Sequence, residues 1–78
     1  MREIVLSILA SICEDEIVKD ELDVDLFKTG LLDSLSFIDV LLEIEEQLGI
    51  EIPPTEIERE KFSTANQILE IIERKMKE

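Results

Sequence analysis

The sequence contains no histidine and only one cysteine, Cys13, so several familiar catalytic sites are excluded. Without histidine there is no Ser-His-Asp triad, no Cys-His pair and no His-ligated zinc. The two glycines do not form a glycine-rich phosphate-binding loop. A lone cysteine excludes an internal disulfide and fits a reducing compartment. We expect Cys13 to be an inert, small apolar side chain. Asp23 and Asp25 resemble the start of an EF-hand, but Phe27 and Lys28 occupy its later positions, so we expect no metal site.

Long hydrophobic runs are also missing, and aromatic residues are limited to three phenylalanines. No run approaches the ~20 apolar residues that a membrane span needs, and Met1-Arg2-Glu3 does not begin a signal peptide. We therefore expect a cytoplasmic protein without direct membrane insertion. Seventy-eight residues with an apolar fraction of 45% indicate one folded domain over residues 1–78 with an aliphatic core.

Basic residues are scarce, because eight lysines and arginines stand against twenty acidic residues, a net charge of −12. Such a charge repels nucleic acid and anionic lipid and attracts basic protein surfaces. From residue 33 to residue 60 there are nine acidic residues and one basic residue, a net charge of −8. A solvated face and a docking surface are about equally good explanations of this run. We expect a monomer that does not bind nucleic acid.

Apolar residues at helical spacing predict a first helix over residues 2–13 and a second over residues 34–48. Asp33 is a suitable N-cap for the second helix, and Gly49 is suited to ending it. The intervening residues 14–33 lack a clean period but contain many apolar side chains. We expect them to form a long loop packed over the core.

A Pro-Pro pair follows the second helix, and two capping boxes come after this pair. Thr55 with Glu58 predicts a short third helix, and Thr64 with Gln67 predicts a fourth. The apolar stripe of the fourth helix comprises Ala65, Ile68, Leu69, Ile72 and Met76. The predicted fold is all-α, a small bundle of three main helices plus one short helix, with the long packed loop between the first two.

The second helix carries two apolar stripes, although one is enough to bury a helix face. The first stripe has core spacing and consists of Phe37, Val40, Leu41, Ile44 and Leu48. The second consists of Leu35, Ile38 and Leu42, edged by Asp39, Glu45 and Glu46. The second stripe either packs against the loop or the third helix, or it faces a partner with a basic and apolar surface. On the latter hypothesis the partner-recognition residues are Asp33, Leu35, Ile38, Asp39, Leu42, Glu45 and Glu46.

Ser34 follows the N-cap residue and has no histidine to activate it. As a plain helix-start residue it would stabilise the first turn by about 1 kcal/mol at most. Because Asp33 already fills the cap position, however, the Ser34 hydroxyl is left free at the helix start. The helix dipole there favours a covalently attached phosphate. We therefore expect a serine that another enzyme modifies.

The triplet Asp33-Ser34-Leu35, together with residues 41–53 (LLEIEEQLGIEIP), resembles the acyl carrier protein family. The resemblance extends over essentially the whole chain. It implies that Ser34 carries 4′-phosphopantetheine, transferred from coenzyme A by a separate magnesium-dependent phosphopantetheinyl transferase. It also implies that the acyl group is a thioester on the arm and that the chain itself is not an enzyme.

Within that family, residues 26–34 and 54–64 are similar to the D-alanyl carrier proteins of teichoic acid modification in cell wall biogenesis. This resemblance implies two further partners, an ATP-dependent D-alanine–carrier ligase and a membrane-bound O-acyltransferase system. The alternative is an acyl carrier of fatty-acid, polyketide or other specialised synthesis. A second alternative, from another class, is a non-covalent acidic helical adaptor.

Overall fold

The computed structural model describes residues 1–77 apart from the side chain of Arg59, so Glu78 of the expected domain lies outside it. The regular secondary structure of the described residues is all helical, and these residues contain no strand. Its elements in order are α1 (Arg2–Cys13), α2 (Ile17–Asp20), α3 (Ser34–Leu48), two 3-10 turns (Pro54–Glu56 and Arg59–Lys61) and α4 (Ala65–Met76). The all-α class and the bounds predicted for the first two main helices are confirmed.

The core lies among α1, α3 and α4 and is mainly aliphatic. Its α1 side chains are Val5, Ile8, Leu9 and Ala10. The phenylalanine rings cluster at one place in this core, because Phe37 packs edge-on against Phe62 at 5.2 Å and tilts against Phe27 at 6.0 Å between ring centroids. Phe62 is fully buried, so it anchors the segment between the 3-10 turns and α4.

The loop of residues 14–33 is packed over the core as expected, with Val18, Leu26 and Leu32 buried. Its backbone is fastened to the start of α4, since Leu26 N–H donates to the Ser63 carbonyl at 2.7 Å. Asn66 donates from its backbone to the Leu22 carbonyl (3.1 Å) and from its side chain to Asp23 (2.6 Å). The four-residue helix α2 was not predicted, because so short a segment shows no period.

The short helix expected before the last helix is present in 3-10 form, but its predicted start at Thr55 and its capping box with Glu58 are wrong. Thr55 lies inside the 3-10 turn Pro54–Glu56, whose first position is proline and which has no side-chain cap hydrogen bond. Proline suits that position because its missing N–H has no helical partner there and its fixed φ is helical. The predicted short helical segment therefore consists of two separate 3-10 turns.

The other predicted helix ends are confirmed. Gly49 ends α3 in the left-handed conformation at φ +69°, which glycine adopts without steric cost. At α4, Gln67 N–H donates to Thr64 Oγ1 (3.1 Å) while Thr64 N–H donates to Gln67 Oε1 (3.2 Å), the reciprocal pair of a capping box. The predicted α4 stripe is buried except for Met76, which lies in the last turn and is exposed.

Candidate functional site

Ser34 is the first residue of α3 and is exposed. The preceding Asp33 is extended (φ −124°, ψ −172°), and its Oδ1 accepts hydrogen bonds from the N–H groups of Leu35 (3.0 Å) and Ser36 (2.8 Å). Asp33 therefore satisfies two of the backbone donors that every helix start leaves without a helical partner. The Ser34 hydroxyl makes no hydrogen bond to any residue that the structure describes, so it remains available to solvent.

Buried residues on both sides hold this exposed serine in place. Two positions before it, Leu32 is buried and its N–H donates to the Leu26 carbonyl at 2.9 Å. Three positions after it, Phe37 is buried and its N–H donates to the Asp33 carbonyl at 2.9 Å. Because the loop and the helix are each anchored to the core, Ser34 sits at a fixed point of the surface.

The start of α3 suits a covalently attached phosphate. Beyond the Asp33 cap its first turn contains no acidic side chain, and the helix N-terminus carries partial positive charge that favours an anion. A phosphodiester on Ser34 Oγ would project into solvent from an exposed position, so it displaces no packed side chain. The residues present therefore fit a phosphopantetheine group.

The second stripe of α3 is exposed to solvent. Exposed fractions are 79% for Leu35, 56% for Leu42 and 37% for Ile38. The acidic residues that edge the stripe, Asp39, Glu45 and Glu46, are exposed as well. In contrast, Phe37, Val40, Leu41 and Ile44 of the first stripe are buried, and Leu48 is half-buried. All seven residues expected to recognise a partner thus lie in α3 or at its N-cap with exposed side chains.

The sequence did not indicate two grooves that the fold creates. One, of about 490 Å³, lies between α1 and α3 and includes Ser11 and Ile12 opposite Asp39 and Leu42. The other, of about 350 Å³, lies between the 3-10 turns and α4 and has both lysine and glutamate side chains on its rim. Each groove joins residues that are distant in sequence, so no local motif could have revealed it.

Cys13 and the acidic loop residues have ordinary structural roles. Burial, and next the negative charge of Asp15, raises the pKa of the Cys13 thiol to about 11, so little reactive thiolate forms at neutral pH. Asp25 caps a turn, since its Oδ1 accepts from Phe27 N–H (3.0 Å) and Lys28 N–H (2.9 Å). Among residues 1–77, no group of three or more acidic or cysteine side chains is arranged to hold a metal ion.

None of the helices in the described part of the chain is both long enough and apolar enough to traverse a bilayer.

Comparison with known proteins identifies the family of this chain. The family profile described as "Phosphopantetheine attachment site" matches residues 3–72. A D-alanyl carrier protein of Bacillus licheniformis is 45% identical over 65 residues, which cover 83% of this chain and 83% of that protein. A D-alanyl carrier protein of Abiotrophia defectiva is 40% identical over 76 residues (97% and 96%), and one of Bacillus cereus is 40% identical over 72 residues (92% and 91%). The chain therefore belongs to the phosphopantetheine attachment-site family of carrier proteins.

Proposed function

We propose that this chain is a D-alanyl carrier protein that bears 4′-phosphopantetheine on Ser34. The observation that carries the proposal is the exposed Ser34 hydroxyl at the first position of α3, directly behind the Asp33 cap. This serine lies inside the segment matched by the phosphopantetheine attachment-site family. The 40–45% identity to proteins named D-alanyl carrier protein supports the choice of cargo.

In the attachment step, Ser34 Oγ forms a bond to the phosphorus of the pantetheine-bearing phosphate of coenzyme A. The bond from that phosphorus to the bridging oxygen of the pyrophosphate breaks, adenosine 3′,5′-bisphosphate leaves, and a base of the transferase takes the serine proton. Asp33 holds the first turn of α3 in place, and the positive end of the helix stabilises the new phosphodiester charge. Once attached, the group supplies a thiol on a flexible arm that can hold an acyl group as a thioester.

The chain then acts by presentation and supplies no acid, base or nucleophile to later steps. A tethered cargo has a high effective concentration at each partner's active site, provided that the arm can reach it. The exposed face of α3 (Asp33, Leu35, Ile38, Asp39, Leu42, Glu45 and Glu46) would guide this presentation. Its apolar centre and acidic edge complement an apolar surface flanked by basic residues.

The size and charge of a D-alanyl group are compatible with a small bundle. A D-alanyl group is small and carries a positive ammonium group, so it needs no apolar cavity inside the bundle, whereas a fatty chain would. The proposed partners are a phosphopantetheinyl transferase, an ATP-dependent D-alanine–carrier ligase and a membrane-bound O-acyltransferase system. We place the carrier in the cytoplasm, where coenzyme A is available to the transferase and ATP to the ligase.

Intact mass spectrometry after two parallel loadings tests the proposal. Protein treated with coenzyme A and a promiscuous phosphopantetheinyl transferase should gain one phosphopantetheine group. One half then receives ATP, D-alanine and a D-alanine–carrier ligase, and the other receives malonyl-CoA and a malonyl transacylase. Selective D-alanylation supports the proposed cargo, and selective malonylation moves the chain to fatty-acid or polyketide synthesis. If no arm is attached, the non-covalent adaptor takes the place of the carrier.

A further inference from the structure

The groove between α1 and α3 is a second surface feature, set to the side of Ser34. Ser7, Ser11 and Ile12 of α1 form one wall, and Asp39, Leu42 and Glu46 of α3 form the other. With a rise of 1.5 Å per helical residue, the α3 wall extends from about 7 Å to about 18 Å beyond Ser34 along the helix. A molecule in the groove would therefore lie beside the attachment site without covering it.

The lining of the groove has one sign of charge. Its charged residues are Asp39, Glu43 and Glu46, and none of the side chains that line it is basic. Leu42, which is 56% exposed, and the half-buried Ile12 add apolar surface between these carboxylates. Acidic groups around an apolar strip complement a segment that places an apolar side chain between lysines or arginines.

The other groove, between the 3-10 turns and α4, lacks this character. On its rim Lys75 pairs with Glu56 at 3.2 Å, and Lys61 pairs with Glu58 at 3.8 Å. Both carboxylates of this lining are thus paired with lysines, and the third basic residue, Arg74, leaves the lining with a net charge of +1, so this groove does not favour a cationic partner. Of these two grooves, only the one between α1 and α3 offers carboxylates that make no ion pair with the side chains that the structure describes.

We propose that the groove between α1 and α3 receives a basic amphipathic helix of an enzyme that acts on the end of the arm. The α3 wall from Asp39 to Glu46 is about 10 Å long, which equals two helical turns. A helix lying in it can therefore place residues i, i+3 or i+4, and i+7 against Leu42 and the carboxylates. The proposal rests on the proposed carrier function and adds α1, through Ser7, Ser11 and Ile12, to the surface that partners contact.

Ser11→Lys tests this assignment, with Thr55→Lys as the matched control. Both residues are exposed and uncharged, so each substitution adds one positive charge at the surface. Ser11 lines the groove, whereas Thr55 lies in the 3-10 turn Pro54–Glu56, outside it. Lysine is a good helix former, and carboxylates face it across the groove, so the melting temperature of Ser11→Lys should not fall.

The assay measures three reactions on each purified variant. These are arm attachment by the transferase, loading by the D-alanine–carrier ligase, and discharge of the loaded arm by the acyltransferase system. We expect Ser11→Lys to keep the wild-type rate of arm attachment. It should raise the KM of loading or of discharge about tenfold, which corresponds to a loss of about 1.4 kcal/mol of binding free energy. Thr55→Lys should stay within about twofold of wild type, and Ser7→Lys, at the other exposed serine of the wall, should repeat the defect.

Equal KM values for Ser11→Lys and Thr55→Lys in both loading and discharge would overturn the proposal. A defect confined to arm attachment would contradict it too, because the groove would then serve the transferase. Failure of the proposed function looks different, because the wild-type protein itself would not accept D-alanine. In that case the same variants are compared in malonyl loading, and the same difference in KM decides whether the groove binds the partner.

Discussion

Helices α3 and α4 are both amphipathic and both begin at a side-chain cap, yet their surfaces differ. The α4 sequence contains two acidic and two basic residues, and its buried stripe of Ala65, Ile68, Leu69 and Ile72 faces the core. The α3 sequence contains four acidic residues and no basic one, and it exposes a second apolar stripe. Folding explains nearly every feature of α4. In α3, the exposed leucines and the unbalanced acidic residues exceed what folding requires, which points to a docking role.

Ion pairs show the same contrast. In α4, Arg74 approaches Glu70 at 4.0 Å, and Lys75 reaches Glu56 of the first 3-10 turn at 3.2 Å. Among the described side chains, no ion pair involves a residue of α3. The carboxylates of α3 are therefore available to a basic partner, and they also repel one another. Substitutions in the docking surface proposed for α3 and substitutions in the buried face of α4 should therefore have different effects.

Ser34→Ala should abolish arm attachment while leaving the fold intact. Ser34 is exposed and its hydroxyl makes no hydrogen bond to the described residues, so the free energy of unfolding should change by less than about 0.5 kcal/mol. Intact mass spectrometry after transferase treatment measures attachment, and urea unfolding measures stability. Ser36→Ala, two residues along the same helix, is the control and should accept the arm normally. An arm on Ser34→Ala would show that the serine is assigned incorrectly.

The predictability of this site and fold depends on how local each signal is. The caps at Asp33, Gly49 and Thr64 involve only neighbouring residues, so the sequence alone located both ends of α3 and the start of α4. The segment Ile17–Asp20 and the 3-10 turns are three or four residues long and owe their shape to tertiary contacts, which no periodicity reveals. For the same reason, the exposure of Leu35 and Leu42 stayed undecided until neighbouring elements were placed.

Ile72→Ala and Leu35→Ala should differ strongly in their effects on stability. Ile72 of α4 is fully buried, so its truncation should lower the free energy of unfolding by about 2–5 kcal/mol. Leu35 of α3 is 79% exposed, so its truncation should change stability by less than about 0.5 kcal/mol. We expect Leu35→Ala instead to raise the KM of at least one partner enzyme. Urea unfolding checks the first difference, and a large loss of stability in Leu35→Ala would mean that the exposed stripe belongs to folding after all.

The two N-caps should have similar effects on stability but different effects on arm attachment. Thr64→Ala and Asp33→Ala should each cost about 1 kcal/mol, because each removes a side-chain acceptor from a helix start. Only Asp33 adjoins Ser34, so only Asp33→Ala should also slow the transferase reaction. Asp33→Asn keeps a good capping group and removes the charge, so it separates the effect of the cap on arm attachment from the effect of the carboxylate charge. If Asp33→Asn also attaches the arm at the wild-type rate, the cap geometry and not the carboxylate charge serves the transferase.

Ionic strength should raise the melting temperature by a few degrees, because a net charge of −12 repels itself in a small bundle. Between about 0.05 M and about 0.5 M salt, the Debye length falls from about 14 Å to about 4 Å, which screens most surface repulsion. Glu45→Gln removes a carboxylate of α3 and should raise the melting temperature at low salt while weakening its salt dependence. Glu70→Gln removes the partner of Arg74 in α4 and should give no such increase. Equal shifts for the two variants in scanning calorimetry would show that total charge, and not the unbalanced surface of α3, limits stability.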